Sequence, residues 1–307
     1  MKPFDVVGLG YCAVDYLGIV PRYPELDEKI GMLEFSKQGG GITATAMATV
    51  GRLGGRASYI GKVGDDDLAK FILTELHKDG VDTGRVAVQA GASSQLSFVV
   101  VDRASGKRTI FWTSSDLILE PQEIRREDIL AGKVLQVDAH HPAAAIQAAT
   151  WANEADIPVV MDAGTLREGS KELVERTDAL IASALFARQF TGEDYPEVAA
   201  RLMFGGRRKI AAVTLGDKGC VYVTAEGTFH QPAFEVDVVD TTGAGDVFHG
   251  AFSFGLARGR PYGEIIEFAS AVAAIKCTKL GGRAGIPTLD QALDFLRTRS
   301  ANDLWAK

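Results

Sequence analysis

Apolar residues along this chain gather in short runs of strand length, set between longer stretches where small and charged residues follow helical spacing. Phe4-Asp5-Val6-Val7-Gly8-Leu9-Gly10 reads as a buried strand. Residues 43–54 are small and helical in pattern, and 57–63 read as a strand. Asp65-Asp66-Asp67 then opens a helix to about His77, its acids suiting the unpaired N–H groups and positive dipole end of a helix start. Gln95 to Val101 and Arg108 to Thr113 are rich in β-formers, with Ala104-Ser105-Gly106-Lys107 as the turn of a hairpin. From residue 134 the pattern alternates: strand 134–138, helix 142–155, strand 157–161, helix 168–176, strand 178–182, helix 195–205, strand 209–215. A hairpin at 219–231 follows, and helices near 243–258, 262–279 and 289–299 finish the chain.

This alternation predicts an α/β fold with a mostly parallel sheet and helices on both faces. The stretches at about 14–36 and 92–113 lack helical spacing and are expected to form a small separate β layer on one domain spanning 1–307. No internal repeat or low-complexity linker interrupts it.

Composition narrows the class. The chain has 307 residues, of which 46% are hydrophobic and 24% charged, enough for a sizeable core. A net charge of −7 gives no basic face for nucleic acid. Cys12, Cys220 and Cys277 are too widely spaced for a metal site and odd in number, so they read as core residues of a reducing compartment. No apolar run reaches membrane-span length, and the N-terminal stretch has no signal-peptide hydrophobic region. A cytoplasmic protein is expected.

The most informative chemistry lies in Asp240-Thr241-Thr242-Gly243-Ala244-Gly245-Asp246. Val236, Val238 and Val239 before it read as a strand end, and the apolar stretch 247–256 behind it reads as a buried helix. Two glycines and an aspartate therefore stand where a loop becomes a helix N-terminus. Unpaired N–H groups there suit phosphate oxygens. A carboxylate beside a phosphate site needs another task, and accepting a proton from an attacking hydroxyl fits Asp246. Four residues alone are more simply a helix start with a first-turn acid; the longer string is far more specific.

Gln38-Gly39-Gly40-Gly41 precedes a helix of small residues, either as a plain turn or as a close-approach site for a polyol. Asp15, after the first strand, is in isolation a turn residue. Gly8-Leu9-Gly10-Tyr11-Cys12-Ala13 fits the dinucleotide fingerprint Gly-x-Gly-x-x-Ala, but the β-like residues 16–20 and two prolines after it leave no room for the required helix. His140-His141 reads as a strand-end loop.

The 240–246 string resembles the C-terminal signature of the ribokinase (PfkB) family of carbohydrate kinases, and the likeness runs nearly end to end. It includes Asp15, Gly40-Gly41, residues 61–65 and Thr214-Leu215-Gly216. Within the family, Gly39-Gly40-Gly41 with Ala44-Thr45-Ala46, residues 231–250, and Cys277-Thr278 with residues 281–287 are most similar to 6-deoxy-6-sulfofructose kinases. The resemblance implies a ribokinase-like three-layer α/β/α fold whose small β layer acts as a lid and pairs two subunits.

It also implies transfer of the γ-phosphate of ATP, with Mg²⁺, to a primary hydroxyl of a ketohexose-like sugar or a pentose. Asp246 is then the base, and the N–H groups of Gly243, Ala244 and Gly245 hold the transferred phosphoryl. Asp15, Gly40, Gly41 and Thr45 border the sugar. Thr214, Gly216, Gly219 and Ala274 border the nucleotide. Asp240 and the Thr242 carbonyl hold a monovalent cation such as K⁺.

The chain departs from the family pattern in places. The usual asparagine falls on Thr45, and the Asn-x-x-Glu pair that serves magnesium falls on Ser183 and Phe186. The arginine that sulfofructose kinases carry near 134–138 is missing, since no arginine lies between Arg126 and Arg167. An anionic sugar would need a cation, and Lys29 ranks first over Arg103, Lys107 and Arg108. Phe111 and Trp112 instead favour a neutral ketose. A sugar-binding sensor without catalysis is the competing class; the missing Asn-x-x-Glu favours it and the intact Asp246 loop opposes it.

Overall fold

The structure is a computed structural model, and it describes residues 2–104, 107–113 and 117–299. Among the described residues nine strands form the main sheet. Their spatial order is Gly227–Gln231, Cys220–Thr224, Ile210–Thr214, Ala179–Ser183, Val159–Ala163, Gly132–Asp138, Phe4–Leu9, Ala57–Ile60 and Val81–Asp82. From Ile210–Thr214 onward every pairing is parallel; the first two strands form an antiparallel hairpin at the edge.

Side chains alternate across a strand, so each central strand is buried on both sides. Val160, Ala179 and Ile181 join one core with the helices Ile42–Arg52, Ala244–Ala257 and Tyr262–Lys276. Val159, Met161, Leu180 and Ala182 join the other with Pro142–Glu154, Ala184–Thr191 and Pro196–Met203. Three layers result, and the C-terminal ends of the parallel strands open into the crevice where such sheets bind ligands.

A second sheet of four strands has the order Glu34–Gly40, Ala13–Val20, Leu96–Asp102, Arg108–Trp112. Its buried face is small, with Leu17, Ile19, Val99 and Val101 meeting Leu280. Its other face leaves Phe35, Phe98 and Phe111 exposed. The fingerprint at 8–13 leads into strand Ala13–Val20 rather than a helix. Ser105 and Gly106 of the expected turn lie outside the described residues. Among the described residues no helix is long and apolar enough to cross a membrane. The three cysteines are buried and free.

Two local expectations need correction. Residues 236–239 form no strand. Val238 and Val239 are exposed, and the Val239 N–H donates to the Cys277 carbonyl at the end of a helix rather than to a neighbouring strand. The alternating series also omits the helix Ala184–Thr191, which Ser183 starts by accepting the Phe186 N–H at 3.0 Å.

Candidate active site

The 240–246 loop turns into the helix Ala244–Ala257 at Gly243, whose φ of 73° lies in the left-handed region open to glycine. A Cβ there would also meet the Gly282 Cα at 2.8 Å, so the loop packs backbone to backbone against the 281–285 segment. Helix geometry leaves the N–H groups of Gly245 and Asp246 without partners inside the helix, at the positive end of its dipole. Asp246 is half-buried. Burial, followed by the charge of Asp162, pushes its carboxyl up to about 7. Asp15 and Asp138 add to the repulsion, while His249 opposes it.

Asp162 ends the strand Val159–Ala163, and burial together with Asp138 raises its carboxyl to about 8. Its Oδ2 lies 3.0 Å from His249 Nδ1, yet it receives no hydrogen bond. That nitrogen is aimed instead at the Gly245 carbonyl, 2.7 Å away. Asp162 thus presents a buried, unsatisfied oxygen next to the Asp246 loop.

The expected sugar residues converge at the junction of the two sheets. Asp15 is 8% exposed and accepts a hydrogen bond from the Ser97 hydroxyl. Burial raises its pKa, and Ser97 and Arg283 pull it back down. A Cβ on Gly40 would overlap the Asp15 carboxylate, and one on Gly41 would overlap Cys12, so both glycines are required by close packing. Thr45 is buried in the helix Ile42–Arg52 and accepts from Arg283 Nε at 3.3 Å. Arg283 also donates through Nη2 to the Gly40 carbonyl at 3.1 Å. This buried arginine therefore supports the two positions, Gly40 and Thr45, that the sequence singled out.

Lys29 lies exposed in the loop between Ala13–Val20 and Glu34–Gly40. Of the four candidate cations, Arg108 reaches the 240–246 loop, donating from Nη1 to Thr241 Oγ1 at 2.6 Å. Asp138 is buried at a strand end and accepts from the Tyr11 N–H at 2.9 Å and the Thr43 hydroxyl at 2.7 Å. His140 donates its backbone N–H to the same carboxylate at 2.9 Å, and its ring stacks on Tyr11.

Thr214, Gly216, Gly219 and Ala274 all line one open cleft of about 820 Å³, together with Ala244 and Gly245. The irregular segment 233–238 forms another of its walls, which explains why Val236 and Val238 pair with no strand. The volume lies within the range of small-molecule and cofactor sites.

The residues suit the implied ions unequally. Among the described residues there is no group of three or more His, Cys, Asp or Glu side chains placed to hold a metal. At the Asn-x-x-Glu positions, Ser183 is a helix cap and Phe186 is core, stacked on Phe190. The buried oxygen without a partner beside the loop belongs to Asp162, and one such carboxylate suits a magnesium ion carried mainly by phosphates. A monovalent ion at Asp240 fits poorly. Oδ1 already accepts from the Thr242 N–H and hydroxyl, Oδ2 from the Gly281 N–H, and the main-chain carbonyl from Lys276 Nζ.

The pfkB family carbohydrate kinase model matches residues 4–289. Fructokinase-1 of Oryza sativa subsp. japonica is 32% identical over 293 residues, covering 86% of this chain and 90% of the relative. Fructokinase-2 of Solanum habrochaites is 30% identical over 319 residues, covering 95% and 96%. The crystal structure of a ribokinase from Thermotoga maritima superposes with a TM-score of 0.83 at 26% identity, over 96% of this chain and 99% of that one.

Proposed function

This chain belongs to the pfkB family of carbohydrate kinases and is an ATP-dependent sugar kinase, and we propose that its acceptor is a neutral ketohexose or pentose, fructose first. The observation that carries the choice is the charge of the crevice. Asp15 and Asp138 are buried at the strand ends beside Gly40 and Tyr11, so the sugar side of the crevice is lined by carboxylates. A phosphorylated or sulfonated sugar placed among these groups would meet like charge. A neutral polyol meets acceptors for its hydroxyls.

In this reading ATP lies along the 820 Å³ cleft, bordered by Thr214, Gly216, Gly219 and Ala274, with its γ-phosphate toward the N–H groups of Gly245 and Asp246. Asp15 accepts hydrogen bonds from two sugar hydroxyls, which approach over Gly40 and Gly41. Thr45, held by Arg283, offers a further polar contact. Asp246 takes the proton of the primary hydroxyl as its oxygen forms a bond to the γ-phosphorus and the bond to the ADP oxygen breaks. The helix N-terminus stabilises charge on the transferred phosphoryl.

Magnesium, when bound, neutralises phosphate charge, and the unpartnered Oδ2 of Asp162 would face it, leaving Asp246 free to act as the base. The potassium ion is left out of this reading because the Lys276 ammonium already stands at the Asp240 carbonyl, 2.8 Å away. The four-stranded sheet acts as the lid, its Arg108–Thr241 bond closing it on the loop. The exposed Phe35, Phe98 and Phe111 support pairing of two subunits through that sheet.

The test is ADP release in a coupled assay with fructose, ribose, fructose 6-phosphate and sulfofructose. The reading expects the highest kcat/KM with a neutral sugar. A preference of more than about tenfold for either anionic sugar would overturn it. Sugar binding without any ADP release would make the protein a sugar sensor.

A further inference from the structure

Lys276 ends the helix Tyr262–Lys276 and is fully buried, at 0% exposure. A buried ammonium is retained where something on the chain needs its charge, since burial alone is unfavourable. Its Nζ donates to the main-chain carbonyl of Asp240 at 2.8 Å. Asp240 opens the loop that presents the phosphate-binding N–H groups. Around the ammonium, burial and Arg108 lower the pKa, while Asp240, Cys277 and Asp246 raise it. The ammonium thus lies within electrostatic reach of the loop's first residue, of the base, and of the lid arginine that bonds Thr241.

The Asp240 carboxylate is committed to the chain, with one oxygen on Thr242 and the other on the Gly281 N–H at 2.8 Å. A monovalent ion on this residue would have to share its carbonyl with an ammonium, and the two like charges would repel. Asp240 therefore already has a cation at its carbonyl.

We propose that the Lys276 ammonium is the built-in cation of the 240–246 loop, a positioning residue that does the work of a bound potassium ion and makes turnover independent of monovalent cations. The proposal rests on the sugar-kinase reading for its effect on turnover, and on the fold alone for its effect on cation binding. Lys276 acts by fixing the Asp240 carbonyl, and through Asp240 the Thr242 N–H and hydroxyl, so that the following turn presents its donors in one arrangement.

The experiment compares full-length wild type, Lys276→Ala and Lys276→Met in choline chloride and in potassium chloride at equal ionic strength. Two quantities are read: sugar-dependent ADP release, and the thermal unfolding midpoint without substrates. Wild-type kcat should agree between the salts within about twofold, with the same unfolding midpoint. Lys276→Ala, which leaves space for an ion, should lose turnover in choline and regain about tenfold or more in potassium. Lys276→Met, which fills the space without charge, should be slow in both. A wild-type enzyme stimulated about tenfold by potassium would overturn the proposal, and so would a Lys276→Ala enzyme fully active in choline. If neither variant folds, the wild-type comparison decides. Absence of sugar-dependent ADP release in both salts would count against the kinase reading instead. Unfolding would still decide the cation question, because potassium-specific stabilisation of wild type contradicts a built-in cation.

Discussion

Asp246 should make this enzyme switch on across neutral pH. Its carboxyl sits at about 7 because it is buried and because Asp162 stands beside it. A general base works only in its ionised form, and at saturating ATP the sugar kcat/KM reports its ionisation in the enzyme–ATP complex. With its pKa raised toward neutrality, the active carboxylate becomes more abundant as pH rises from 6 to 8. The sugar kcat/KM should therefore rise by up to about tenfold from pH 6 to pH 8, and fall about tenfold per unit at lower pH. A carboxyl in the ordinary range near 4 would give a flat profile over the same interval.

The assay is initial-rate ADP release at saturating ATP, across overlapping buffers of constant ionic strength. Two variants locate the cause. Asp246→Asn should lower kcat by about 10² to 10⁴ and abolish the break near neutrality. Asp162→Asn removes the group whose titration is coupled to that of Asp246, so the rise in rate should reach its plateau at lower pH in that variant. A flat wild-type profile between pH 6 and 8, with Asp246→Asn within about threefold of wild type in kcat, would refute the assignment of the base.

Asp15→Ala should raise the sugar KM about tenfold to a hundredfold and leave the ATP KM unchanged, because each hydrogen bond to a charged group contributes about 1.5–3 kcal/mol. Equal changes in both KM values would place Asp15 outside the sugar site. Asp162→Asn should also raise the thermal unfolding midpoint at pH 8 and hardly change it at pH 4, measured without nucleotide. The Asp162 pKa is raised in the folded state to about 8. Its protonated form therefore favours the fold below the unfolded-state pKa, and that contribution is lost as pH rises through the folded value. A midpoint lowered at pH 8 by this substitution would show that the carboxylate stabilises the apo fold.

The parts of the site that lie together in the chain were legible in the sequence. Residues 240–246 carry the proposed anion loop and proposed base in one string, and Thr214, Gly216 and Gly219 line one cleft. The central strands were legible because burial on both faces leaves continuous apolar runs. Val236 to Val239 misled, because β-branched residues suit the wall of an open cleft as well as a strand, and periodicity does not distinguish the two.

Residues brought in by the fold were hidden. Arg283 meets Gly40 and Thr45 across more than 230 positions of sequence, and its role depends on a loop packing that no local pattern encodes. Lys276 sits at the end of a helix, where a basic residue is ordinarily a solvated dipole partner. Its complete burial is a tertiary fact. The antiparallel pairing of Leu96–Asp102 with Arg108–Trp112 carries Arg108 to Thr241, a contact across 133 positions that no local pattern encodes.

Phosphorus NMR of a reaction containing the protein, magnesium, ATP and fructose tests the central claim most directly. Transfer to a primary hydroxyl puts the phosphoryl group on a CH₂ carbon. The account predicts a new phosphomonoester signal split by two equivalent or near-equivalent methylene protons. This signal should grow in step with the ADP signals and be absent with Asp246→Asn. Growth of inorganic phosphate alone, or a phosphomonoester split by a single proton, would contradict it.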